Sequence, residues 1–150
     1  MFVSTGGLDF EKEKPSILLM HGSGLTHIVW SLHEQFYASQ GFNVLSVDLP
    51  GHGNSEGPAL KSIEEISSWI KSLMEKINIL KITIVGHSQG CLVGIDFASR
   101  YPNLISSLVL EFSISSDILF PTFSGTILSK SPNIHNVGQL IFFKESFPVL

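Results

Sequence analysis

Ile82-Thr83-Ile84-Val85-Gly86-His87-Ser88-Gln89-Gly90 is the stretch that decides the fold. Its first four residues are β-branched, and branched side chains pack well on a pleated surface, so they predict a strand. The strand runs directly into a G-x-S-x-G sequence, and the helix that follows must stop before Pro102, because the residue ahead of a proline is pushed out of the helical region. The pattern predicts a strand, an abrupt turn with Ser88 at its apex, and a helix beginning at Gln89. Such a turn needs small residues two positions either side of the apex so that neighbouring backbone does not clash. The new helix aims its unpaired N–H groups and positive dipole end at the space above Ser88, where negative charge develops during acyl transfer. With 13 Gly and abundant Ser in the chain, G-x-S-x-G alone is modest evidence. A glycine-rich helix start without chemistry is the alternative, and the preceding strand argues against it.

Outward from this stretch, the apolar pattern changes period in an orderly way. Ile17-Leu18-Leu19-Met20 reads as a buried strand ending at His21-Gly22. A helical stretch follows, with Val29, Leu32 and Phe36 on one side and Gly41 as its C-cap. Val44-Leu45-Ser46-Val47 is the next strand, closed by the turn-rich Asp48-Leu49-Pro50-Gly51-His52-Gly53-Asn54-Ser55. Ser62 and Glu65 form a capping box ahead of a stripe of Ile63, Ile66, Trp69, Ile70, Leu73, Met74 and Ile77. Leu108-Val109-Leu110 is a fourth strand. Strands alternating with helices long enough for crossovers predict an α/β fold, a parallel sheet with helices on both faces. Beyond Glu111 the pattern degrades: Phe112 to Leu150 has three Pro, scattered Ser and one short helical pattern at Val137–Phe143. The expected organisation is a core over 1–112 and a cap or irregular segment over 113–150.

Composition narrows the function. The chain has 150 residues, 9 Lys and Arg against 13 Asp and Glu, and one Cys, so a single domain is expected and no internal disulfide can form. A formal charge of −4 lacks the clustered cations that bind nucleic acid or anionic lipid. No apolar run approaches the roughly 18 residues of a membrane span, and Met1 to Pro15 has no signal-peptide core. These features predict a soluble, cytoplasmic protein. Charged residues make up only 15% of the chain, well below the roughly 25% of ordinary domains, which implies that part of the surface is meant to be covered.

Three segments in order, His21-Gly22-Ser23-Gly24, Asp48-Leu49-Pro50-Gly51-His52-Gly53-Asn54-Ser55 and Gly86-His87-Ser88-Gln89-Gly90, resemble the α/β-hydrolase superfamily. The likeness is to its serine-hydrolase branch of esterases, lipases, thioesterases and carbon–carbon bond hydrolases, and covers about Ile17 to Leu110. It implies Ser88 as nucleophile, backbone N–H groups of Ser23 and Gln89 as oxyanion donors, and the Asp48–Ser55 segment as a structural loop. Read without the resemblance, His21–Gly24 is better taken as a tight strand-to-helix turn. Ser at the apex implies an acyl-enzyme route on an ester, thioester or amide carbonyl of a small-molecule acyl substrate, and argues against the epoxide and halide chemistry of members with Asp there.

A serine hydroxyl needs a histidine to take its proton and a carboxylate to orient that histidine. His21, His52 and His87 read as structural, and His27 and His33 as ordinary residues of the first helix. In the family the acid and histidine follow the nucleophile on later strands. Only 62 residues follow Ser88, so the chain resembles the N-terminal portion of the fold, ending after the sixth family strand. Glu111, Asp117 and His135 stand in the right order for a compact triad, but no strand precedes His135 to hold it. The strand at Leu108 is then expected to be an exposed parallel edge, open to self-association. Cys91 reads as a small buried residue, no metal-ligand spacing or dinucleotide fingerprint occurs, and the family chemistry needs no cofactor.

Overall fold

The computed structural model describes residues 1–113, 124–129 and 141–143, with side chains described as far as Glu111. Its centre is four parallel strands in the order β3(Asn43–Asp48)-β2(Ser16–Met20)-β4(Ile82–His87)-β5(Ile105–Ser113). A short β1(Phe2–Ser4) pairs antiparallel with β3 at one side of the sheet. On the other side β6(Ser124–Ser129) and β7(Ile141–Phe143) extend it antiparallel, giving seven strands.

The two strands β2 and β3 are buried on both faces, which is why they are unbroken buried runs. One face carries Leu18, Met20, Leu45, Val47, Ile84 and Leu108 under α2(Ile63–Lys76) and α3(Gln89–Arg100). The other carries Ile17, Leu19, Val44 and Val85 under Trp30 and Ala38. Trp30 ends a 3-10 turn, His27–Trp30, that leads into α1(Ser31–Ser39). The predicted cap of α2 is present: the Ser62 hydroxyl accepts from Glu65 N–H at 3.2 Å, and the Glu65 carboxylate turns back to Lys61 N–H at 2.8 Å.

Strand order reverses between β2 and β4. The chain leaves β2 toward β3 on one side, then crosses back over β2 to reach β4, which makes the C-terminal ends of β2 and β4 the topological switch point of the sheet, where open α/β sheets bind their ligands. Met20 is paired with Gly86, so the turns at His21–Gly24 and His87–Gln89 emerge side by side.

Several expectations are corrected. The apolar side assigned to the first helix faces solvent: Leu32 is 79% exposed and Phe36 59%, while Trp30 (2%), Glu34 and Ala38 pack inward. The buried set lies at i, i+4 and i+8, and Glu34 belongs to it because its carboxylate accepts from Ser4 Oγ of β1 at 2.8 Å. The Leu108 strand is not an exposed parallel edge, because β6 pairs along it from Leu108 to Ser113. At Val137–Phe143, residues 141–143 are strand rather than helix, and the remainder lies outside the described residues. Among the described residues no helix is long and apolar enough to cross a membrane.

Candidate active site

Ser88 joins β4 to α3 with φ 52° and ψ −112°, a conformation that costs a non-glycine residue about 1–3 kcal/mol. Only one other non-glycine among the described residues, Asn78, has positive φ. The strain is held from several directions. Ser88 N–H donates to Glu111 O at 3.1 Å, and Ser88 O accepts from Cys91 N–H at 2.9 Å. The flanking glycines let the segments close up: a Cβ on Gly86 would overlap the Gly90 carbonyl, and one on Gly90 would sit 2.5 Å from Met20 O. Ser88 itself is exposed at the top of the sheet, as the sequence predicts.

Gln89 occupies the first position of α3, where no intrahelical carbonyl can accept its N–H. Facing it is the loop after β2. A Cβ on Gly22 would lie 3.1 Å from Ser88 Cβ and 3.1 Å from His87 Nδ1, so this loop backbone is pressed against the elbow. Leu25 N–H returns to Gly22 O at 3.2 Å, closing a turn in which Gly24 has φ +72° and Ser23 is exposed.

Behind the loop lies a buried polar network that sequence reasoning did not find. His21 is fully buried; Leu49 N–H donates to its Nε2 at 3.1 Å, which puts the ring proton on Nδ1, directed at Gly22 O at 2.8 Å. Burial, the largest influence, lowers the pKa of this histidine. Asp48 is also fully buried. Its Oδ1 accepts from His27 N–H at 2.7 Å and from His27 Nδ1 at 2.9 Å, and its Oδ2 accepts from Asn54 N–H at 2.8 Å. Burial pushes the Asp48 pKa up and is the largest single influence, but the hydrogen bonds from Asn54 and His27 together outweigh it and hold it below the ordinary value. His27 is thus a hydrogen-bond partner of Asp48, through both its backbone N–H and its ring, rather than an ordinary helix residue. The sequence carries no local signal for this pair, whose members stand 21 positions apart.

Cys91 is buried, with its Sγ 3.1 Å from Gly86 O and 3.3 Å from Glu111 O, and burial pushes its thiol up to about 11, so it is no rival nucleophile. Glu111 ends the described side chains, paired with His87 across β4 and β5, and serves the elbow through its backbone carbonyl. His33 packs edge-on against Trp30, and the His52 ring lies 5.1 Å from that of His21. Asp117 and His135 lie outside the described residues.

The chain is similar to an uncharacterized protein of Mycobacterium tuberculosis, Rv2715, with 38% identity over 98 residues, 64% of this chain and 28% of the relative. It is similar to the abhydrolase domain-containing protein abhd-5.2 of Caenorhabditis elegans, 30% identical over 152 residues, 91% of this chain and 33% of that protein. A solved hydrolase of Pseudomonas aeruginosa superposes with a TM-score of 0.62 at 28% identity, covering 70% of this chain and 40% of the neighbour. The chain therefore spans less than half the length of each of these proteins. A family model for the alpha/beta hydrolase fold matches residues 15–135, and with the serine elbow between β4 and α3 this means that the chain belongs to the alpha/beta hydrolase fold family.

Proposed function

We propose that this chain carries the nucleophile and oxyanion donors of a serine hydrolase acting on an ester, thioester or amide carbonyl. The observation that carries the reading is the strained, exposed Ser88 at the apex between β4 and α3, with the Gly22 backbone against it. A strained conformation held by two backbone hydrogen bonds and two glycines has no packing purpose, whereas it lifts a hydroxyl above the strand ends. In the reaction a base takes the Ser88 proton and Oγ bonds to the carbonyl carbon. The displaced π pair moves onto the oxygen, where the N–H groups of Ser23 and Gln89 stabilise it. Collapse expels the leaving group with a proton from the base, and water attacking the acyl-serine returns the free hydroxyl. Residues 1–112 supply this half of the machinery, and the orienting acid and the histidine come from outside the described residues.

A second reading is a fragment or binding module without catalysis. A fluorophosphonate probe separates the two. Labelling of the purified 150-residue chain that disappears in Ser88→Ala supports the hydrolase reading, and no labelling of the wild type refutes self-sufficient catalysis by this chain.

A further inference from the structure

We propose that Asp48 is a positioning residue for the oxyanion loop, gripping it through His27 while the adjacent Leu49 grips it through His21. This inference rests on the hydrolase reading above for its catalytic consequence. Within residues 22–25 the holding contacts are few, a turn bond from Leu25 N–H to Gly22 O and the press of Gly22 on the elbow, while Ser23 and Gly24 are exposed and Gly24 has positive φ. The loop is fixed instead at its two ends. At the entry, the buried His21 ring spans Gly22 O and Leu49 N–H at 2.8 and 3.1 Å. At the exit, both the backbone N–H and the ring Nδ1 of His27 converge on one oxygen of Asp48, at 2.7 and 2.9 Å. Both tethers end on consecutive residues at the close of β3, and β3 is paired with the strand that carries the loop.

The glycine loop after β3 then has a definite task. Its Asn54 N–H takes the second Asp48 oxygen, an approach that only a glycine at position 53 permits, because a Cβ there would collide with the carboxylate. Ser55 Oγ donates to Asp48 O at 2.6 Å and in turn accepts from Phe2 N–H at 2.8 Å, which ties the loop to β1. The Asp48 carboxylate thereby meets three donors in a site from which water is excluded. Asparagine, with one acceptor oxygen, cannot satisfy both the His27 and the Asn54 groups. Losing one side frees either the exit of the oxyanion loop or the loop that orients Asp48. A donor misplaced by a fraction of an ångström acts as a donor removed, and loss of one oxyanion donor slows acyl transfer about 10²–10³-fold.

The test compares Asp48→Asn with Leu73→Ala, a core change in α2 on the opposite face of the sheet, in the 150-residue chain at a temperature where all variants are folded. Two quantities are read: the second-order rate of Ser88 modification by a fluorophosphonate, and amide hydrogen exchange in segments 21–30 and 82–100. Asp48→Asn is expected to react at least tenfold more slowly and to exchange faster in 21–30 alone, while Leu73→Ala reacts within twofold of wild type. Equal slowing in both variants, or a wild-type rate with unchanged protection in Asp48→Asn, overturns the proposal. Should Asp48→Asn fail to fold, His27→Phe removes only the ring donor and decides the matter: a severalfold slower reaction supports the grip, and a rate within twofold of wild type overturns it. If the wild-type chain is not labelled at all, its self-sufficient catalysis fails. Exchange confined to 21–30 would then still uphold the positioning role, and uniform or unchanged exchange would overturn it.

Discussion

Gly90→Ala sets two well-understood effects against each other. Gly90 is the second residue of α3, and alanine there gains about 1 kcal/mol in helix propensity and reduced unfolded-state freedom. The structure opposes this with a contact that cannot rotate away: the new Cβ would lie 2.5 Å from Met20 O and 3.1 Å from Met20 C and Cβ, all on a central strand. Ordinary contact requires α3 to lift from β2 by the better part of an ångström, yet its first turn is tied through Ser88 N–H to Glu111 O and through Cys91 Sγ to Gly86 O. Overpacking of this kind costs about 3 kcal/mol. The net is a loss of about 2 kcal/mol, which for a chain of this size lowers Tm by roughly 4–8 °C. Melting followed by circular dichroism measures it. Gly94→Ala is the internal control: the same helix gains the same propensity, but the crowded atom is the rotatable Leu108 Cδ1 methyl, so its Tm should stay within about 2 °C of wild type. Lifting the first turn also carries Gln89 N–H away from Ser88, so fluorophosphonate labelling of Gly90→Ala should slow by about tenfold or more. A Gly90→Ala chain that melts at or above the wild-type temperature refutes the steric reasoning, whatever its labelling.

Two further outcomes follow from the first helix and from the buried network. Trp30→Ala should destabilise by about 3–5 kcal/mol as a core deletion, whereas Leu32→Ser, at a side chain facing water, should change stability by no more than about 0.5 kcal/mol; urea midpoints rank the two, and a large loss at Leu32 would show that its face is covered. Stability should fall on acidification in two stages, since His21 has a lowered folded pKa and so binds its proton more readily in the unfolded chain. The histidine contribution is complete above about pH 6.5 and is lost as pH drops from there toward the folded value. The Asp48 contribution is complete above about pH 4 and is lost as pH falls through its depressed folded value, so in urea titrations Asp48→Asn should remove the lower stage and keep the upper.

What could be read from the sequence was what neighbouring residues decide among themselves. Strand β4, the turn at Ser88 and helix α3 are specified within Ile82–Arg100, because the β-branched run, the paired glycines and the proline beyond act on adjacent backbone. The stripe of α2 is legible for the same reason, since it has the correct period and a cap at its own first turn. The first helix misled because two sets of positions compete on it. Val29, Leu32 and Phe36 are the more apolar set, but the inward set includes Glu34, whose burial depends on Ser4, 30 positions earlier in a strand of three residues that has no pattern to announce it. His27 and Asp48 pose the same problem. They are 21 residues apart and meet only because β2 and β3 pair in parallel, which brings the exit of one loop over the end of the next strand. The elbow, built from contiguous residues, could therefore be named from the chain alone. The opposing half of the candidate oxyanion site could be named too, as a glycine turn, but its support could not, because a buried carboxylate is tolerable only where the tertiary structure delivers enough donors. Asp48 receives three, two from His27 beyond the loop after β2 and one from Asn54 in the loop it opens, and the last must pass where a side chain at position 53 would stand. Such an arrangement has no period and no fixed spacing. It becomes readable only once the strand order β3-β2-β4 is known, for that order alone sets the close of β3 behind the loop that faces Ser88.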